Sequence, residues 1–150
     1  MSNTLYEQDF FAWANEQARL LRAGKLSEAD IEHIAEEIES MGRAEKRELV
    51  NRLIVLLQHL LKWQFQPGRR GSSWEATISV QRHALERHLD DNPSLKSAVP
   101  LAIGQAYRDA VIEAAGETGL PRMTFPVSCP WTFDQIMDED FWPGHGSPAA

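Results

Sequence analysis

Residues 49–66 read LVNRLIVLLQHLLKWQFQ, and this stretch decides the architecture. Leu49, Val50, Leu53, Ile54, Leu56, Leu57, Leu60, Leu61, Trp63 and Phe65 recur at helical spacing. At about 100° per residue they cover roughly half of a helix circumference. A stripe that wide packs against several neighbours at once, so the segment predicts the central helix of an all-α fold. Asn51, Arg52, Gln58 and His59 interrupt the apolar run. It is also shorter than the roughly 20 residues a membrane span needs. It therefore reads as a buried helix, and no membrane association is expected.

The same spacing continues on both sides, with no convincing alternating strand. Upstream, Phe10, Trp13, Ala14, Gln17, Leu20 and Leu21 form one face of a first helix that Gly24 ends. Ser27 and Asp30 have the spacing of an N-cap and its N3 partner. They predict a second helix that buries Ile31, Ile34, Ala35, Ile38 and Met41 and stops at Gly42. The short connection makes these two an αα-hairpin, and the central helix begins near Arg43. Downstream, Pro67-Gly68 breaks the central helix. A fourth helix follows over about 73–90, capped by Ser72 or Ser73, with Asn92-Pro93 as the next break and Ser94 as a cap. A fifth helical region over about 95–117 carries Ala98, Ala102, Ala106 and Ala110, a small-residue ridge for close helix approach. Pro100 starts a new segment there or kinks this one. Beyond Gly119 the chain is Pro-rich and irregular until Thr132 and Gln135, which have capping-box spacing for a short helix over Phe133–Met137. The expectation is one helical domain over residues 1–150, a bundle of about six helices around a central apolar helix. Its core spans about 5–142, and 143–150 are read as a disordered tail.

Charge and cysteine content narrow the function classes. The net charge of -7 disfavours non-specific nucleic-acid binding, which needs a broad positive surface. The single Cys129 cannot form an internal disulfide, which fits a reducing cytoplasm. The start, MSNTLYEQDF, carries acids where an export signal would be basic and then apolar.

Against the acidic background, residues 59–82 stand out as locally basic and aromatic. They contain Lys62, Arg69, Arg70 and Arg82 against one acid, Glu75, together with Trp63 and Trp74. Within them, the loop 66–73 offers two arginines just before a helix N-terminus, where backbone amides attract anions. It lacks the G-x-x-x-x-G-K-[ST] spacing of a P-loop. Gln81 falls in the middle of the Trp74/Ile78/Leu85/Leu89 face and needs a partner, from Gln17 or His59; Gln17 intrudes in the same way on the first helix. His59 lies at the edge of the central stripe and can titrate near neutral pH. His59, Gln81 and Arg82 are expected to meet beneath the loop. No two histidines have the i, i+4 spacing of a shared metal ion. Asp30-x-x-His33 occurs once, and the helical wheel turns His33 to water, so no metal or cofactor is expected. No nucleophile motif surrounds Cys129.

Several motifs in fixed order resemble a known family. They are Asp9, Phe10 and Trp13; the run Ile34 to Arg43, IAEEIESMGR; His59 to Trp63, HLLKW; Pro67; Ser73 to Ile78 with Gln81 and Arg82; Thr118 to Pro121; Phe125-Pro126; and Cys129-Pro130. Together they look like domain-of-unknown-function family 29 over residues 5–142. The resemblance implies a small bacterial, cytoplasmic protein and carries over no catalytic residue or cofactor. The expected function is that of a non-enzymatic binding protein. It would use the loop 66–73 with Arg69, Arg70, Arg82, Gln81, Trp63 and Trp74 to hold an acidic protein partner or a second copy. One alternative is an enzyme acting on an anionic, phosphorylated small molecule with His59 as general base. Another is a nucleic-acid-associated accessory protein, with the net charge against it.

Overall fold

The computed structural model describes residues 2–144, and every helix named below lies within them. These residues form six α-helices: α1 Ser2–Gln8, α2 Phe10–Arg22, α3 Ile31–Phe65, α4 Ser72–Asp91, α5 Val99–Thr118 and α6 Phe133–Met137. No strand occurs among them, so the fold is all-α. The chain divides between Glu45 and Lys46 into two compact units.

In the first unit, Asp9 caps α2 by accepting from the Ala12 amide at 3.0 Å. Gly24, at φ +73°, turns the chain after α2, as its sequence position predicts. Trp13, Gln17 and Leu20 are buried. Gln17 Oε1 accepts from the Asp30 amide at 2.7 Å, so its place on an apolar face is satisfied by backbone. Asp30, rather than Ser27, caps the next helix: its Oδ1 accepts from the His33 amide at 3.4 Å. Ser27 sits instead in a 3-10 turn, Leu26–Glu28. The short α1 precedes the first helix expected from sequence.

Two sequence expectations are corrected here. The second and third helices are one helix of 35 residues. Gly42 does not stop it, because it is not in the left-handed conformation of a helix terminus. An interior glycine costs about 1 kcal/mol relative to alanine, and the strong helix formers Met41, Arg43, Ala44, Glu45 and Lys46 around it outweigh that. The second correction concerns the face expected to be buried: Ile31 is 55% exposed, Ile38 58% and Met41 61%. The first unit covers a different side of α3, the one that carries His33 and Glu37.

In the second unit, Leu49, Leu53, Leu56, Leu57, Leu60 and Leu61 are completely buried, as the central stripe predicts. Burying each stabilises the fold by about 1.5–3 kcal/mol relative to exposure. Their core is completed by Ile78, Leu85 and Leu89 of α4 and by Ala102, Ala106, Ala110 and Ala114 of α5. Ala98 precedes α5 and is only half-buried, so the small-residue ridge begins one turn later. Pro100 occupies the first turn of α5, where a missing N–H costs nothing. Gly119, at φ +77°, ends α5 with its amide on Ala115 O. No side chain caps α4, whose N-cap is Gly71. The irregular segment is pinned to the core: buried Phe125 meets Phe65 edge-on at 5.3 Å, and Tyr107 Oη donates to Pro126 O at 2.7 Å. Thr132 and Gln135 form the expected capping box, and Ile136 of α6 is fully buried. Pro143 is buried too and Gly144 lies in a turn, and the rest of the expected tail, 145–150, lies outside the described residues. No helix among the described residues is long and apolar enough to cross a membrane.

Candidate functional site

The last two turns of α3 carry a polar set beside its buried leucines. Lys62 is 5% exposed, and its Nζ donates to Glu117 Oε1 at 2.5 Å. Gln58 Nε2 donates to the other oxygen, Oε2, at 2.7 Å. The Lys62 ammonium also lies 5.0 Å from the Trp74 ring centre, a cation–π distance. Bonding to Lys62 holds the Glu117 carboxyl below its usual range, against the opposing effect of burial. His59 Nδ1 donates to Val55 O at 2.8 Å, since a carbonyl can only accept, and this leaves Nε2 as the acceptor of the neutral ring. Burial lowers the His59 pKa, and the nearby Lys62 charge adds to that. The ring therefore stays neutral at neutral pH and can accept a proton at Nε2.

The arginines do different work. Arg69 is exposed in the 3-10 turn Pro67–Arg69. Arg70 turns back on the helix: its Nε donates to Trp63 O at 2.7 Å, and its guanidinium lies 5.3 Å from the Trp63 ring centre. Its Nη2 reaches Pro143 O at 3.4 Å. Arg70 thus caps the carbonyl end of α3, where a cation is favoured. Arg82 is 2% exposed and donates from Nε to Ile136 O at 2.7 Å and from Nη2 to Phe141 O at 2.8 Å. It also lies 5.4 Å from the centre of the Trp142 ring, and that ring packs on Trp63 at 4.7 Å. Arg82 therefore secures the C-terminal segment to α4. Gln81 takes its partner from neither Gln17 nor His59: Arg52 Nη1 donates to its Oε1 at 3.4 Å. Among the described residues no hydrogen bond joins His59, Gln81 and Arg82.

A second polar set lies in the first unit. Asp30 Oδ2 accepts from Trp13 Nε1 at 3.0 Å and from His33 Nδ1 at 2.7 Å. Burial alone would raise the Asp30 carboxyl, but the bonds from His33 and Trp13 carry it below its ordinary value. Tyr6 stacks on the His33 ring at 4.0 Å and donates to Glu37, and that bond pushes the phenol up to about 12. His33 is thus covered and oriented rather than turned to water, as the wheel had it. Asp30-x-x-His33 signalled the pair in the sequence, but Tyr6 comes from α1 and carried no signal. No group of three or more His, Cys, Asp or Glu side chains among the described residues is arranged to hold a metal ion.

Several of the motifs that carry the family resemblance hold the fold together. Asp9 is a cap and Trp13 a core ring bonded to Asp30. His59 to Trp63 lie in the buried end of α3, and Arg82 is a buried anchor. Among known proteins, no curated sequence and no solved structure matches the chain. One family does match, over residues 5–142, and the chain belongs to it: Domain of unknown function DUF29.

Proposed function

We propose that this chain is a non-enzymatic interaction protein and that its partner is a second copy of itself, bound through the first unit. The observation that carries this reading is the exposure of Ile31, Ile38 and Met41 on one side of a helix. At about 100° per residue, Ile31, Ala35, Ile38 and Met41 fall within an arc of about 120°. A water-facing apolar stripe of that kind marks a contact surface. Charge favours a second copy over an unrelated partner. Glu32, Glu39 and Arg43 border the stripe on the same side. If two copies cross antiparallel with the two-fold axis at Met41, Arg43 lies along the partner's Glu39, and the same pair forms twice.

The loop 66–73 carries less of the binding in this reading than the sequence suggests. Arg70 and Arg82 turn inward to main-chain carbonyls, and Arg69 is exposed. A bacterial cytoplasm suits the lone, half-buried Cys129.

Sedimentation equilibrium of the wild type and of Ile38→Glu tests the proposal. The wild type is expected to dimerise, and the variant to dimerise at least about tenfold more weakly with unchanged helicity. A wild type that stays monomeric at high concentration would sink the proposal.

A further inference from the structure

We propose that Arg82 and Trp63 form a seat for an oxyanion, a carboxylate or phosphate group, under the C-terminal segment 138–144. Two buried side-chain atoms have no hydrogen-bond partner among the described residues, Arg82 Nη1 and Trp63 Nε1. Both are donors, and both belong to side chains packed on the Trp142 ring. Buried donors are normally paired, so each calls for an acceptor.

Charge decides what kind of acceptor. Arg82 is 2% exposed, yet its bonded partners are the neutral carbonyls of Ile136 and Phe141. Asp138 and Glu139 act on it through space, and no carboxylate among the described residues is hydrogen bonded to it. A buried cation without a bonded counter-charge is costly. A water molecule would satisfy the orphaned donors and leave Arg82 with only the through-space charge of Asp138 and Glu139, whereas an oxyanion supplies acceptors and a directly bonded counter-charge together. Arg70, 5.3 Å from the centre of the Trp63 ring, adds positive potential to the same corner. Entry requires the segment to lift, and its outermost tie, Arg70 Nη2 to Pro143 O, is long at 3.4 Å.

The experiment follows the Trp63 indole N–H and the Arg82 side-chain resonances by 15N NMR. Sodium phosphate and sodium acetate are titrated separately into the full chain, with sodium chloride holding ionic strength constant. Saturable shifts of both groups are expected with at least one anion, and the anion that saturates identifies the source as phosphate or carboxylate. Trp63→Phe keeps the ring stack and removes one donor, so it should weaken binding about tenfold. The wild-type titration decides the matter without any variant, should that one fail to fold. Shifts that grow linearly, that chloride reproduces, or that Trp63→Phe leaves unchanged in affinity would overturn the proposal.

Discussion

Lys62 and Glu117 form an ion pair whose two halves should respond very differently to removal. The lysine side chain is 6% exposed and the glutamate side chain 52%. Lys62→Met deletes the buried charge, fits an unbranched apolar chain into the same channel and leaves a carboxylate that water can solvate. Replacing a buried ion by an apolar side chain of similar volume is often neutral or stabilising. Glu117→Ala does the reverse. It leaves the Lys62 ammonium in the core with the Trp74 ring as its remaining close partner, and it strips Gln58 Nε2 of its acceptor. Breaking a fully buried pair in this direction costs about 3–5 kcal/mol. Half-exposure of the glutamate lets water screen part of that, which brings the expected loss to about 2–3 kcal/mol. Urea unfolding followed by tryptophan fluorescence, with melting as a second probe, measures both variants. Glu117→Ala should lower Tm by about 10–20 °C in a unit of this size, and Lys62→Met should change it by less than about 5 °C. The double variant should resemble Lys62→Met, because the stranded charge is gone. If Lys62→Met costs as much as Glu117→Ala, the pair itself stabilises the fold and the asymmetry argument is wrong.

Three further outcomes follow from the structure. Acid should destabilise the second unit in two steps. His59 is held below its ordinary 6.5, so the unfolded chain binds its proton first and stability is lost as pH falls below that value. Glu117 is held below 4.5, so its contribution is full above that value and is lost as pH falls through its lower folded value. The urea midpoint should therefore fall from pH 7.5 to 5.5 and again towards pH 4, and His59→Phe should flatten the first leg; a midpoint that rises on acidification contradicts both assignments. Gly42→Ala, made in the Ile38→Glu background to remove self-association, should stabilise by about 0.5–1 kcal/mol, because a Cβ there meets nothing within 4 Å and the helix is continuous. Destabilisation would mean that the chain breaks at Gly42 after all. Asp30→Asn turns an amide donor towards either His33 or Trp13 and should cost about 1.5–3 kcal/mol, seen as roughly 10- to 100-fold faster amide exchange in the first unit; unchanged protection would show that the Asp30 bonds carry little.

What the sequence revealed was whatever a single segment decides for itself. The breadth of the Leu49–Phe65 stripe made a buried central helix unavoidable, and six of its leucines are completely buried. Thr132 and Gln135 bond to each other across three residues, so their capping box was readable without any tertiary knowledge. Gly24 and Pro100 likewise act where they stand. Gly42 misled because a glycine's effect depends on whether its neighbours continue the helix, and here they do. Ile31, Ile38 and Met41 misled because periodicity reports which residues share a face, while a neighbouring element decides whether that face is covered. The site residues follow the same rule. Trp63, Gln81 and Arg82 needed partners by their nature, and that need was visible. Their partners were not, since Arg82 bonds to carbonyls 54 and 59 positions away and carbonyls carry no sequence signature.

That last detail affects how the C-terminal segment tolerates change. Arg70 and Arg82 grip Ile136, Phe141 and Pro143 by backbone oxygens that any residue could supply. The clasp therefore measures spacing rather than identity. Asp138 and Glu139 add charge near Arg82, and Glu139 also reaches His83 of α4 at 2.9 Å. The Asp140 side chain can vary without loosening the clasp, whereas deleting one residue here would pull Phe141 O out of register with Arg82. Gly144 is the exception: at φ +78° a Cβ would come within 3.1 Å of Arg70 Nη2. Length errors, more than substitutions, are what this end of the molecule is built to reject.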